Sequence, residues 1–201
     1  MNEKKYDVVS ITKTAAVIAI VLLLGLTPIG YIPVGSLQIT TVHVVVIVIA
    51  IILGLKQGII AGLVFGISSI ITALMTPNLF TPIFLNPLVS IIPRILLPII
   101  AYYLFTLFHK ILKGKMSKRL SLTISSVIAA TISTLIHTVM VVALIWVFRG
   151  MSADLLDATL LPIIIGLLTV NMPLEILFAT IGAGVIVPTL YPWMNKLPNQ
   201  Q

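Results

Sequence analysis

The chain has 201 residues, of which 59% are apolar and only 8% are charged, yet its formal net charge is +7. Soluble domains carry about 25% charged residues, so these few charges could not cover the surface of a soluble protein of this length. We therefore exclude a soluble enzyme, a disordered chain and a nucleic-acid-binding domain, and we expect an integral membrane protein. The chain has no cysteine, so it offers neither a disulfide nor a thiolate metal site.

Apolar segments separated by short polar breaks run along the whole chain. The 42 residues from Thr14 to Leu55 carry no charge, which is too long for one span, and prolines and glycines near 28–35 would interrupt a helix. Pro93 and Pro98 are expected to kink the fourth segment and free backbone carbonyls. The sequence therefore predicts an all-α bundle of six transmembrane helices, one membrane domain over 1–201, with helices at about 13–32, 40–55, 58–75, 87–109, 120–148 and 162–187.

Basic residues are distributed unevenly between the two sides of this predicted bundle. With the N-terminus inside, only Arg149 falls outside and Arg94 lies within the fourth helix. Because basic loops stay in the cytoplasm, this asymmetry predicts that both termini are cytoplasmic. The other ten of the twelve basic residues are Lys4, Lys5, Lys13, Lys56, Lys110, Lys113, Lys115, Lys118, Arg119 and Lys196.

Four glycines recur at every fourth position in the third segment, at Gly54, Gly58, Gly62 and Gly66. On a helix they form a smooth surface that lets a neighbouring backbone approach closely. The pattern is typical of tight packing inside a bundle, and it leaves homodimerisation open as an alternative.

Ionisable side chains inside the predicted helices are the main functional candidates, because such groups are costly in a bilayer. Counting 1.5 Å per residue from the outer end of each helix places His43 roughly 5 Å deep, Arg94 roughly 10 Å and His137 roughly 15 Å. The same count places Asn171 roughly 14 Å and Glu175 roughly 20 Å deep. Since these groups come from four helices and occupy the outer half of the membrane, we expect a cavity that opens to the outside.

Arg94 has two interpretations. A guanidinium in the membrane stays charged and needs an anion or several carbonyl groups. It could grip a substrate carboxylate with two parallel hydrogen bonds. Alternatively, it could form a structural pair with Glu175, or cap the carbonyl groups freed by Pro93.

The remaining polar groups also leave alternatives open. Asn171 could bond substrate hydroxyls or amides, or bridge two helices. His43 and His137 could contact a ligand or serve as hydrogen-bonding groups of the bundle. Glu175 could be structural or proton-sensitive, or it could contact a ligand directly. Their spacing is not that of a metal site. The chain has neither a G-x-S-x-G nor a G-x-x-x-x-G-K-[ST] motif, so we do not expect an enzyme or an ATPase.

Several blocks resemble one family of membrane proteins. They are T-K-T-A-A-V-I-A-I at 12–20, T-T-V-H-V-V-V-I-V-I-A at 40–50, G-L-K-Q-G-I-I-A-G-L-V-F-G-I-S-S at 54–69 and N-P-L-V-S-I-I-P-R at 86–94. Together they resemble the S components of energy-coupling factor (ECF) vitamin transporters, most closely the pantothenate-specific members. The second half of the chain is similar in topology and only loosely in motif.

The resemblance implies a multi-pass protein of the bacterial cell membrane. An S component binds a vitamin in an outward cavity, capped by the loop between its first two helices, here about 30–39. It docks onto a transmembrane T component, here through Ala15 and Ala19, and two cytoplasmic ATPases drive delivery. The chain itself would bind no cofactor, because its partners use the ATP.

Pantothenate is the substrate favoured by this comparison. It carries one carboxylate, an amide and two hydroxyls, whereas thiamine and its hydroxymethylpyrimidine precursor would want aromatic stacking, of which the chain shows little. Biotin and folate also carry carboxylates and stay open. Two other functions also stay open: a non-transporting membrane scaffold, and an ion-coupled carrier that uses Glu175 and His137. The predicted substrate-binding residues are Arg94, Asn171, His43, Thr41, Asn86, His137 and Thr40.

Overall fold

Helices form nearly all of the regular structure in the computed structural model, which describes residues 8–34, 37–151 and 157–194. Within these ranges, a short two-stranded hairpin is the exception. A π-helical segment, Leu167–Asn171, joins the last two helices. The helices are α1 Val8–Gly25, α2 Val42–Leu53, α3 Leu55–Met75, α4 Thr81–Phe84, α5 Pro87–Ser90, α6 Ile92–Leu112, α7 Lys118–Val147, α8 Asp157–Gly166 and α9 Met172–Met194, and the strands are β1 Tyr31–Val34 and β2 Leu37–Thr40.

Five helical stretches are long and apolar enough to cross a membrane, which confirms the prediction of an all-helical membrane protein. The sixth apolar helix, α2, is shorter than such a span. Its 12 residues extend about 18 Å, against about 30 Å of hydrocarbon in a bilayer. The five long stretches are Val8–Gly25, Leu55–Met75, Pro87–Leu112, Lys118–Val147 and Leu160–Met194.

The short helix α2 is enclosed by its neighbours rather than lying at the edge of the bundle. It packs against α3, α6 and α9, and ten of its twelve residues are buried. It ends at Leu53 because Gly54 adopts a φ of 92°, a left-handed conformation that glycine tolerates. The sequence predicted that this helix begins at residue 40, but Thr40 belongs to β2 and Thr41 is the N-cap residue of α2.

The connection between α1 and α2 forms an antiparallel hairpin. A helix was predicted to continue to residue 32, but α1 ends at Gly25 and Pro28 begins a short 3-10 turn. The strands then pair with Tyr31 opposite Thr40 and Val34 opposite Leu37. The hairpin therefore occupies the place of the predicted capping loop at 30–39, whose residues 35–36 lie outside the described ranges.

The fourth predicted segment consists of two helices with a break at Ile91. Asn86 caps α5 by accepting a hydrogen bond from the backbone N–H of Leu88 (3.0 Å). Pro93 then lies in the first turn of α6, where its missing N–H is tolerated. Because Pro93 cannot donate to the carbonyl of Val89 four residues earlier, that carbonyl needs another donor.

The glycine repeat of α3 faces the interior of the bundle, which supports packing over homodimerisation. A Cβ atom on Gly58 would lie 2.6 Å from the Cβ of Ala50, and one on Gly62 would collide with the carbonyl oxygen of Arg94. A Cβ on Gly66 would lie 2.9 Å from the Cα of Ile91. These glycines therefore let α3 approach α2, α5 and α6 closely.

Gly62→Ala is expected to destabilise the protein by about 1–3 kcal/mol, because the added methyl group would push α3 away from α6. Thermal unfolding in detergent measures the effect. Gly150→Ala is the matched control, since a Cβ there meets no atom within 4 Å. Unfolding of Gly62→Ala at the temperature of the control would show that the two helices do not depend on this contact.

Candidate functional site

Buried polar side chains from four elements gather near the end of the bundle that carries the hairpin. His43 of α2, Arg94 of α6, Asn171 of the π segment and Glu175 of α9 are each at most 9% exposed. The sequence predicted four ionisable groups within the membrane. His43, Arg94 and Glu175 are buried, and His137 is half-buried. The sequence therefore named most of the groups that the fold brings together.

Arg94 is held by the carbonyl that Pro93 leaves free. Its Nη1 donates to the carbonyl oxygen of Val89 at 2.7 Å, and its Nη2 approaches the hydroxyl of Ser69 at 3.5 Å. This is the capping interpretation that the sequence left open. No ion pair with Glu175 is present among the described residues, and the Nε–H of Arg94 is buried there without a hydrogen-bond partner.

Two phenylalanine rings face the guanidinium of Arg94. Its central carbon lies 5.7 Å from the ring centroid of Phe65 and 5.5 Å from that of Phe84. Both contacts are within the range of a cation–π interaction, which stabilises a cation removed from water. The ring of His137 lies 6.5 Å from that of Phe65, so Phe65 stands between this histidine and Arg94.

Glu175 joins three elements of the site. Its Oε1 accepts from the backbone N–H of Thr40 (3.3 Å) and its Oε2 from the hydroxyl of Thr138 (3.2 Å). Its backbone carbonyl contacts Nε2 of His43 at 3.3 Å. The depth count, which separated His43 and Glu175 by roughly 15 Å, is therefore wrong for this pair. The count assumed uninterrupted helices with level ends, whereas α2 follows a hairpin and α9 follows a π segment.

The contact with Glu175 determines which nitrogen of His43 carries a proton. A carbonyl oxygen can only accept, so Nε2 of His43 must donate to it. In the neutral ring Nδ1 is then an acceptor, and it is buried with no partner in the described ranges. His43 therefore offers one acceptor to a molecule bound beside it.

Other buried atoms of the cluster also lack a hydrogen bond from the residues described. They are both ring nitrogens of His137, the Oδ1 atom of Asn171 and the hydroxyl of Tyr31. A buried polar atom without a partner costs about 1–3 kcal/mol, so native proteins contain few of them. Several together, on groups of both donor and acceptor type, are typical of a site whose ligand supplies the missing hydrogen bonds.

Tyr31, at the start of the hairpin, brings a phenol to this cluster. Burial raises the pKa of Tyr31, while the positive charge of Arg94 and the nearby hydroxyl of Thr72 act in the opposite direction. The net effect keeps the phenol protonated at neutral pH. Tyr31 therefore remains a neutral group that can donate a hydrogen bond.

Three predicted site residues take part in local structure. The hydroxyl of Thr41 donates to the carbonyl of Ile29 at 3.1 Å, and the backbone of Thr40 bonds to Glu175. Asn86 caps α5, and its amide also contacts the sulfur of Met151 at 3.7 Å. Their role in binding a substrate stays a prediction.

Several residues of the cluster were not singled out from the sequence. Phe65, Ser69, Tyr31 and Thr138 carry no charge at neutral pH, so a search for ionisable groups passes over them. Thr138 follows His137 directly, and Phe65 and Ser69 lie in the glycine-repeat block. Those adjacencies are the signals that could have identified them.

Ala15 and Ala19 lie on the exposed side of α1. The buried residues of this helix are Val17, Val21 and Gly25. At about 100° per residue, the midpoint of the two alanines lies about 160° from that of the two valines. The alanine pair therefore faces away from the bundle.

Comparison with known protein families identifies the family of the chain. A family model described as "ECF transporter, substrate-specific component" matches residues 9–191, nearly the whole chain. No curated protein matches the sequence significantly.

Proposed function

Because the chain belongs to the ECF transporter substrate-specific component family, we propose that it captures pantothenate outside the cell and delivers it inward with partner subunits. The observation that carries the choice of substrate is the guanidinium of Arg94. It is buried without an ion pair to a carboxylate among the described residues, and its Nε–H has no hydrogen-bond partner there. A guanidinium in this state favours a ligand with one anionic group.

The groups around Arg94 complement the rest of that molecule. Nδ1 of His43 and Oδ1 of Asn171 are acceptors without partners in the described chain, so they require hydrogen-bond donors from a ligand. Pantothenate supplies two hydroxyls and an amide N–H beside its carboxylate. The match of one acid with several donors supports pantothenate over a ligand that carries acceptors alone.

Two aromatic rings lie in the cluster, although little aromatic surface was expected near the cavity. The rings of Phe65 and Phe84 each lie within 6 Å of the guanidinium of Arg94. The guanidinium covers the face that each ring turns towards it, so a thiamine or hydroxymethylpyrimidine ring would have to displace the guanidinium to stack on that face. Biotin and folate each carry a carboxylate as well, so a binding experiment is needed to distinguish them from pantothenate.

The position of the cluster supports binding from outside. Arg94 is the third residue of α6, and the basic run 110–119 begins near the other end of this helix of about 31 Å. If basic loops are cytoplasmic, the cluster lies in the outer half of a bacterial plasma membrane and both termini are inside. The hairpin of β1 and β2 would then close the outer entrance.

Delivery would use the exposed alanine face of α1. Small side chains let another helix approach closely in the membrane, so Ala15 and Ala19 would bind a transmembrane T component. Two cytoplasmic ATPases attached to it would hydrolyse ATP. The chain described here would supply substrate recognition, and neither catalysis nor a bound cofactor.

The purified protein is expected to bind pantothenate with one-to-one stoichiometry. Isothermal titration calorimetry measures this, with biotin, folate, thiamine and hydroxymethylpyrimidine as competitors. Tighter binding of one of these competitors would show that it, rather than pantothenate, is the substrate, and the proposed role in an ECF transporter would still stand. Uptake by vesicles that contain this chain alone, without ATPases, would instead indicate a carrier that works by itself.

A further inference from the structure

The carboxylate of Glu175 links the hairpin to two helices of the bundle. It accepts one hydrogen bond from the backbone N–H of Thr40, the last residue of β2, and one from the hydroxyl of Thr138 on α7. Glu175 itself lies in α9. One side chain therefore joins β2, α7 and α9 at the edge of the buried cluster.

Among the described residues, the other backbone hydrogen bonds of the hairpin stay within the connection from α1 to α2. The strands pair with each other, the N–H of Thr41 donates to the carbonyl of Gly30 (2.9 Å), and its hydroxyl donates to that of Ile29. The hydroxyl of Tyr31 has no hydrogen-bond partner in the described chain. Within the described chain, Glu175 thus provides the charged attachment of the second strand to the bundle.

Lifting the hairpin would remove one of two donors from a buried carboxylate. Hydrogen bonds to a charged acceptor are stronger than those between neutral groups, and a buried charge that loses a partner is strongly disfavoured. Among the described residues no ion pair compensates Glu175. The contact with Thr40 therefore opposes opening of the hairpin.

We propose that Glu175 is a positioning residue that holds the hairpin closed over the Arg94 cluster and thereby slows release of the substrate. The statement about release rests on the proposed function, whereas the attachment of the hairpin does not. Glu175 need not touch the substrate, because it acts through the backbone of Thr40.

Hydrogen–deuterium exchange on the full-length protein without substrate tests the attachment. Glu175→Leu removes both hydrogen bonds, and Glu175→Gln keeps the shape of the side chain without its charge. We expect amides at 37–41 to exchange about tenfold faster in Glu175→Leu, with a smaller increase in Glu175→Gln. If Glu175→Leu does not fold, the increase in Glu175→Gln decides the question.

The matched control is Thr134→Val, which removes a buried hydroxyl one turn before Thr138 that has no partner among the described residues. It is expected to leave exchange of the hairpin at the wild-type rate. Unchanged exchange at 37–41 in the Glu175 variants would overturn the proposal. An equal increase throughout α7 and α9 would also overturn it, because that result indicates a general loss of stability.

Release of radiolabelled pantothenate tests the consequence for function. The Glu175 variants are expected to release it about tenfold faster, with little change in the rate of association. If the wild-type protein binds pantothenate and the variants release it at the wild-type rate, Glu175 does not control the hairpin. If the wild-type protein does not bind pantothenate, the proposed substrate is wrong, and the exchange experiment still decides the role of Glu175.

Discussion

Arg94→Ala is expected to weaken binding of pantothenate at least about 30-fold. Removing one partner of a buried, hydrogen-bonded charge pair costs about 2–5 kcal/mol, and each 1.4 kcal/mol is a factor of ten. The carboxylate would then enter a buried site without a compensating cation. Calorimetry on the purified variant measures the change, and undiminished binding would exclude Arg94 as the group that recognises the acid.

The same substitution also removes a structural contact, so its controls must separate folding from recognition. Without the guanidinium, the carbonyl of Val89 loses its donor, which is expected to cost about 1–3 kcal/mol of stability. Arg94→Lys keeps the positive charge but loses the planar fork, and we expect it to bind pantothenate with intermediate affinity. Thermal unfolding of both variants shows whether enough folded protein remains to interpret the titrations.

Ser69→Ala is the matched control for the surroundings of Arg94. It removes only the long contact of 3.5 Å to Nη2 and leaves the guanidinium and its bond to Val89 in place. Its binding of pantothenate is expected to stay within about threefold of wild type, because so long a contact contributes little. A loss as large as that of Arg94→Ala would assign recognition to the hydroxyl instead.

Arg94 also shows how far the sequence could be interpreted. The sequence identified Pro93 as a residue that frees a carbonyl, and it named capping as one role of the neighbouring arginine. It could not choose between capping and a pair with Glu175, because that choice depends on which way α6 and α9 turn their side chains. Only the assembled bundle determines that the guanidinium reaches Val89.

The elements between the first two long helices were harder to predict. The prolines and glycines at 28–35 indicated a break in the helix, but the pairing of Tyr31 with Thr40 depends on a turn whose geometry these residues do not specify. His43 lies in the first turn of α2, directly after that hairpin, and its ring contacts the backbone carbonyl of Glu175. A count of residues along straight helices therefore misplaced these two groups relative to each other.

The chemical types in the site were easier to foresee than their contacts. A charge or an imidazole inside an apolar segment is visible in the sequence, because its burial is costly wherever it lies. Neutral groups such as Phe65 and Thr138 become recognisable only through their neighbours. The sequence thus indicated which elements contribute to the cluster, whereas the partners of each side chain required the structure.

Replacing the alanines of α1 with tryptophan is expected to abolish ATP-driven uptake and leave pantothenate binding unchanged. In Ala15→Trp and Ala19→Trp, a large ring would stand on the exposed face and keep the T component from approaching closely. Both side chains point away from the bundle, so the buried cluster stays intact. Uptake into vesicles that hold the complete transporter, together with co-purification of the T component, measures docking.

The control for this experiment is Ile20→Trp, at a position that is 50% exposed on the same helix. At about 100° per residue, Ile20 lies about 120° from the midpoint of the two alanines, so its tryptophan would face lipid rather than the docked partner. It is expected to transport normally. If all three variants transport equally, the alanine face is not the docking surface. If only the alanine variants lose uptake while all three bind pantothenate, recognition of the substrate and docking reside on separate surfaces. This is the result that the exposed position of both alanines on α1 predicts.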